Sequence, residues 1–139
     1  FASFSAKGHM RAVQILSADK PQGPYEVWSC PLTPNDWMCL DGPFLYKSND
    51  GKLLMIWSSF DDNGYLEAIA YSEDGTISGK WKHCEKALSA INGGHGMIFK
   101  TFNGYPIFTM HYPNTPYGDE RPLLIRINEI SDEPYLQIV

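Results

Sequence analysis

A repeat constrains this chain more than any other feature of its sequence. Phe44-Leu45-Tyr46-Lys47-Ser48-Asn49-Asp50-Gly51 stands 53 positions before Met97-Ile98-Phe99-Lys100-Thr101-Phe102-Asn103-Gly104, with apolar, apolar, aromatic, Lys and the turn glycine in register. A second pair, Ala12 to Ser17 through Gly23-Pro24-Tyr25 and Glu67 to Ser72 through Gly79-Lys80-Trp81, recurs at about 55 positions. Within each unit the apolar residues come in short bursts between breakers, not in the three-and-four rhythm of a helix. The expected strands are Met10 to Ser17, Phe44 to Lys47, Lys52 to Ser58, Tyr65 to Tyr71, Met97 to Thr101, Tyr105 to Met110, Leu123 to Asn128 and Tyr135 to Val139. Asn49-Asp50-Gly51, Asp62-Asn63-Gly64, Asp74-Gly75 and Asn103-Gly104 supply residues that accept the positive φ angles of tight hairpins. Cys84 to Ala90 reads as one or two turns of helix, ended by Asn92-Gly93-Gly94.

Fifty residues of short antiparallel strands is the size of one four-stranded propeller blade. A β-sandwich with compositionally similar hairpins is the competing architecture, and the register match favours the propeller. The expected fold is therefore all-β: a partial β-propeller of about two and a half blades in one domain over 1–139. The units run roughly over 1–40 (partial), 41–93 and 94–139. Composition agrees, since 14% aromatic residues with 12 Gly and 10 Pro suit strands joined by tight turns.

Several functions are excluded on elementary grounds. A net charge of −5 without a basic stripe argues against a nucleic-acid partner. No apolar run approaches the roughly 20 residues of a membrane-spanning helix, so a membrane partner is not expected either. Cys30, Cys39 and Cys84 form neither a CxxC pair nor an even disulfide set, which points to buried thiols or one adventitious pairing and leaves the compartment open. No Gly-x-Ser-x-Gly elbow, Walker loop, HExxH helix or dinucleotide fingerprint is present, and His9, His83, His95 and His111 lack close metal-ligand spacing. The chain starts at Phe1 without an initiator Met, as expected of a processed chain or one cut from something longer.

Three stretches carry a family resemblance: Leu40-Asp41-Gly42-Pro43-Phe44-Leu45-Tyr46-Lys47, then Gly93-Gly94-His95-Gly96-Met97-Ile98-Phe99, then Thr109-Met110-His111-Tyr112. Together with Ser17 to Tyr25, where Ser-Ala-Asp leads to Gly-Pro-aromatic, they resemble glycoside hydrolase family 43 from about Arg11 to Ile127. The resemblance implies a five-bladed propeller around a central cavity, and hydrolysis with inversion of arabinose- or xylose-containing oligosaccharides or polysaccharides. It also implies three carboxylates on different blades: a general base Asp, an Asp that tunes and orients the acid, and a general acid Glu. Such a division is physically sensible, because an inverting glycosidase keeps acid and base about 6.5 to 9.5 Å apart to admit a water.

The sequence departs from that pattern in two places. It spans about half the family's blades, and the blade with the general base is expected to be missing from it. At the join between Thr33 to Asp41 and Pro43 onward, one internal blade has no counterpart; the resemblance places the acid there, and no Glu here occupies a corresponding position. The catalytic set is thus expected to be incomplete in one chain, leaving an isolated monomer weak or inactive. A noncatalytic carbohydrate-binding module and a structural β-domain are the alternatives. Exposed interblade faces and strand edges are expected to drive homo-oligomerisation.

Asp41 is the candidate catalytic residue, read as the pKa-tuning Asp or as a shortened acid of the later blade, with the first preferred; its structural alternative is a turn cap. For His95 the resemblance implies a hydrated cation, often calcium, against the alternative of a hydrogen-bonded turn histidine. Trp37, in a polar Pro-flanked loop, is the candidate for stacking on a sugar, with loop anchoring as the alternative. His111 is a second candidate sugar contact that faces either the cavity or solvent. Trp57 reads as core, Asp61 and Asp62 as turn formers, and Glu67 and Glu85 have no identifiable partner.

Overall fold

A computed structural model describes residues 2–5, 11–32 and 41–139. The described residues contain eleven strands and no helix. Strands β1 (Ala2–Ser5), β2 (Arg11–Ser17) and β3 (Glu26–Leu32) form a three-stranded antiparallel sheet. β4 (Asp41–Lys47), β5 (Leu53–Asp61), β6 (Gly64–Ser72) and β7 (Trp81–His83) form a second, four-stranded sheet. β8 (Gly94–Lys100), β9 (Pro106–Tyr112), β10 (Arg121–Glu129) and β11 (Leu136–Ile138) form a third. Each sheet is a meander in chain order, and the first strands lie side by side, β1 by β4 and β4 by β8. Farther out, β3 lies by β7. This is a radial stack of blades with the first strand of each innermost, the partial β-propeller that the repeat predicts.

Two cores hold the stack together. Leu54, Ile56 and Ile69 of the middle sheet meet Ile98, Phe108, Met110 and Ile127 of the third. Met55, Trp57, Leu66, Ala68 and Ala70 on its other face meet Val13 and Ile15 of the first. Both faces of β5 and β6 are therefore buried, which is why those strands read as unbroken apolar bursts. Among the described residues, the third sheet is covered on one face only. β8 accordingly alternates, with Ile98 buried while Met97 and Phe99 are exposed.

The hairpin signals act as expected. Gly51 (φ 86°) and Gly104 (φ 83°) close equivalent turns 53 residues apart, donating N–H to the Ser48 and Thr101 carbonyls at 3.0 and 2.8 Å. One expectation fails: 84–90 is not helical. It runs along β6 beyond β7, with the Cys84 amide donating to Ile69 O and the Leu88 and Ser89 amides to Glu67 O. Pairing with a strand edge satisfies these donors, and burial of Cys84 and Leu88 in the core rewards the non-helical course. Strands β1, β3 and β7 lie outside the strands expected from apolar spacing. The join at 33–40 lies outside the described residues, and the sheets flanking it pack directly on one another.

Candidate functional site

The two inner strands begin with the same irregularity. In β4 the register slips between Asp41 and Phe44, and in β8 between Gly94 and Met97, again 53 residues apart. Each bulge holds one residue in the left-handed region, Gly42 at φ 53° and His95 at φ 56°. Bulges re-aim side chains next to the strand they interrupt. Here they bring the two blades into contact: a Cβ on Gly42 would sit 3.0 Å from the His95 ring. His95 Nδ1 lies 3.7 Å from Asp41 Oδ2, with both side chains roughly half exposed. Asp41 and His95 thus meet where the inner strands start.

The glycines flanking His95 have a steric cause. A Cβ on Gly94 would come within 2.6 Å of the Tyr65 ring and 2.9 Å of Ser58 Oγ. One on Gly96 would come within 2.3 Å of Phe108 and 3.1 Å of Glu67 Oε1. A larger residue at 94 would push β8 away from the middle sheet, and one at 96 would collide with Phe108 of the neighbouring strand.

Beneath the pair runs a polar row across the middle sheet, in which Asp41 pairs with Ser58, Ser58 with Glu67, and Glu67 with Ser89. Glu67 is fully buried. Its Oε2 accepts from Ser58 Oγ at 2.8 Å and from the Gly96 amide at 3.4 Å, and Ser58 Oγ accepts from the His95 amide at 2.5 Å. Glu67 Oε1 and Ser89 Oγ have no hydrogen-bond partner among the described residues. Desolvation drives the Glu67 carboxyl up to about 8, against the lowering effect of its Ser58 and Gly96 hydrogen bonds, with the Asp41 charge adding to the rise. Glu67 is the residue that sequence reading missed. A signal for it existed: closing the hairpin with Asp61 opposite Gly64 fixes Ser58 opposite Glu67.

A cleft of about 530 Å³ opens beside His95. Phe44, Met97 and Pro122 give it apolar walls, and His111, Glu120 and Arg121 add polar groups. His111 stacks on Tyr65 at 5.6 Å between centroids and its Nε2 lies 3.0 Å from Asn114 Oδ1, so its ring is held at the cleft. Trp37 lies outside the described residues, and Trp57 is core.

Calcium takes six to eight oxygen ligands. Asp41 and His95 offer one carboxylate and one imidazole, and among the described residues no group of three or more His, Cys, Asp or Glu gathers to hold a metal. A cation beside His95 would therefore take most of its ligands from water.

Radial blades with a polar site at the start of the inner strands define a class, the β-propeller glycosidase fold. Solved structures agree. An endo-arabinase from Bacteroides thetaiotaomicron matches 94% of this chain and 70% of its own, at 25% identity and a TM-score of 0.60. A thermostable family-43 glycoside hydrolase matches 94% of this chain and 47% of its own, at 19% identity and a TM-score of 0.69. An alpha-L-arabinofuranosidase from Lactobacillus brevis matches 94% of this chain and 52% of its own, at 16% identity and a TM-score of 0.63. At the last two identities the likeness speaks to fold alone. The chain spans only part of each of these proteins. Its resemblance to glycoside hydrolase family 43 is supported by the fold as well as by the motifs. No protein-family model matches the chain, and no curated protein does.

Proposed function

We propose that the chain is a carbohydrate-active propeller unit of the family 43 kind, taking arabinose- or xylose-containing saccharides in the cleft beside Asp41 and His95. The observation that carries this reading is the meeting of those two side chains at matching bulges of adjacent inner strands. The cleft supports it, since apolar walls with a few polar groups suit a sugar's C–H faces and hydroxyls. The choice of sugar rests on the motif resemblance to family 43, with an endo-arabinase among the structural neighbours.

In this reading Asp41 is the supporting carboxylate that orients and tunes an acid, hydrolysis proceeds with inversion, and one chain lacks the full catalytic set. Glu67 cannot touch a substrate because it is fully buried. The second reading, a noncatalytic carbohydrate-binding unit, has the same support from the cleft. Assaying the purified monomer on aryl arabinosides and xylosides, alongside thermal shifts with arabino- and xylo-oligosaccharides, tests both. Sugar-dependent stabilisation with little turnover is expected. Robust monomer turnover would overturn the incomplete set, and stability indifferent to these sugars would overturn the carbohydrate reading.

Self-association belongs to the same proposal. Phe44 and Tyr46 of the middle sheet pack toward the third sheet, and their repeat equivalents, Met97 and Phe99, face outward unpaired with another blade among the described residues. Leu124, 61% exposed, extends that face. Light scattering at high concentration is expected to show oligomers; a strictly monomeric folded species would refute the association.

A further inference from the structure

The buried carboxyl of Glu67 is costly to keep. Burial of a carboxyl is tolerated when its oxygens are hydrogen-bonded, yet Oε1 has no partner among the described residues. An apolar residue of similar volume would fill the place without that cost. What Glu67 does hold is specific: Ser58 Oγ and the Gly96 amide, both at the turn that carries His95. His95 is a non-glycine residue with φ 56°, a conformation that persists only where its surroundings impose it. Its own amide is fixed by Ser58 Oγ, which is fixed in turn by Glu67.

We propose that Glu67 is the positioning residue of this site: through Ser58 Oγ and the Gly96 amide it holds the Gly94–Gly96 turn so that the His95 imidazole faces Asp41. The chain of contacts passes from β6 to β5 to β8, crossing from the middle blade to the third. It therefore sets the geometry between blades, which neither inner strand determines alone. The groups that face Glu67 are Asp41 of β4 and the His95 turn of β8, with Ser58 and Ser89 on either side. Its bearing on sugar binding rests on the carbohydrate reading above, whereas its hold on the turn does not.

Amide hydrogen exchange read residue by residue at about pH 6 separates the two. Glu67→Leu is expected to raise exchange at both His95 and Gly96 about tenfold, the order expected for losing one hydrogen bond to a buried group. Exchange in β5 and β9 stays at the wild-type level. Ser58→Ala is expected to raise exchange at His95, whose amide donates to Ser58 Oγ, more than at Gly96, whose amide donates to Glu67. Glu67→Gln, which keeps an acceptor oxygen, restores protection at both. Weakened binding of arabinotriose or xylotriose by Glu67→Leu, again about tenfold, accompanies the loss of the turn. A wild-type protein that binds neither sugar defeats the carbohydrate reading and leaves the exchange test standing. Unchanged exchange at His95 and Gly96 in Glu67→Leu, or a uniform rise across all strands, would overturn the positioning role.

Discussion

Alkaline pH should destabilise this protein through Glu67. Its carboxyl titrates at about 8 when folded, against an ordinary value of 4.5, because burial penalises the charge. The sign follows from proton linkage: between those two values the native state keeps a proton that the unfolded chain releases. The stabilising contribution is whole below about pH 4.5 and is lost as pH rises through about 8. A window of about 3.5 units at about 1.4 kcal/mol per unit amounts to roughly 5 kcal/mol, the scale of a small domain's entire stability. Glu67→Gln removes the titration. Its amide keeps an acceptor for Ser58 and Gly96 but buries an NH2 where Oε1 has no partner, at a cost of about 1–3 kcal/mol. Wild type should thus be the more stable near pH 5 and the variant near pH 9. Urea denaturation from pH 5 to 9 measures both curves, and their difference reads the contribution of Glu67. Parallel curves across pH 6 to 8 would refute the argument, since they would mean that Glu67 is ionised in the fold.

Other outcomes follow from the same contacts. Gly96→Ala places a Cβ 2.3 Å from Phe108 and should cost about 1–3 kcal/mol, seen as a lowered Tm. Asp41→Asn alters a half-exposed side chain, so thermal stability should hold while affinity for arabino- or xylo-oligosaccharides falls several-fold by calorimetry. The Cys84 thiol is pushed up to about 12, chiefly by burial, so in a Cys30→Ala/Cys39→Ala background a thiol reagent at neutral pH should label the protein only on unfolding. Met97→Lys with Leu124→Lys should leave the fold intact and abolish the self-association proposed above, by light scattering.

Local chemistry made much of this fold legible. The 53-residue repeat, the turn glycines at Gly51 and Gly104 and the alternation of β8 are consequences of nearest neighbours, and they gave the all-β class and the blade as its unit. Asp41 and His95 stood out because each lies beside glycines at the head of an apolar strand. The non-helical course of 84–90 escaped sequence reading because its residues favour a helix in isolation, and the edge of β6 supplies their hydrogen bonds. Glu67 escaped for a related reason. In sequence it interrupts an apolar strand as any surface glutamate would, and its burial arises when the third blade closes over it. The sequence alone determined eight of the eleven described strands, their tight turns and the Asp41 and His95 motifs. Tertiary structure decided which of them meet: the 3.7 Å approach of Asp41 to His95 and the burial of Glu67 depend on packing between blades, over separations that no local pattern encodes.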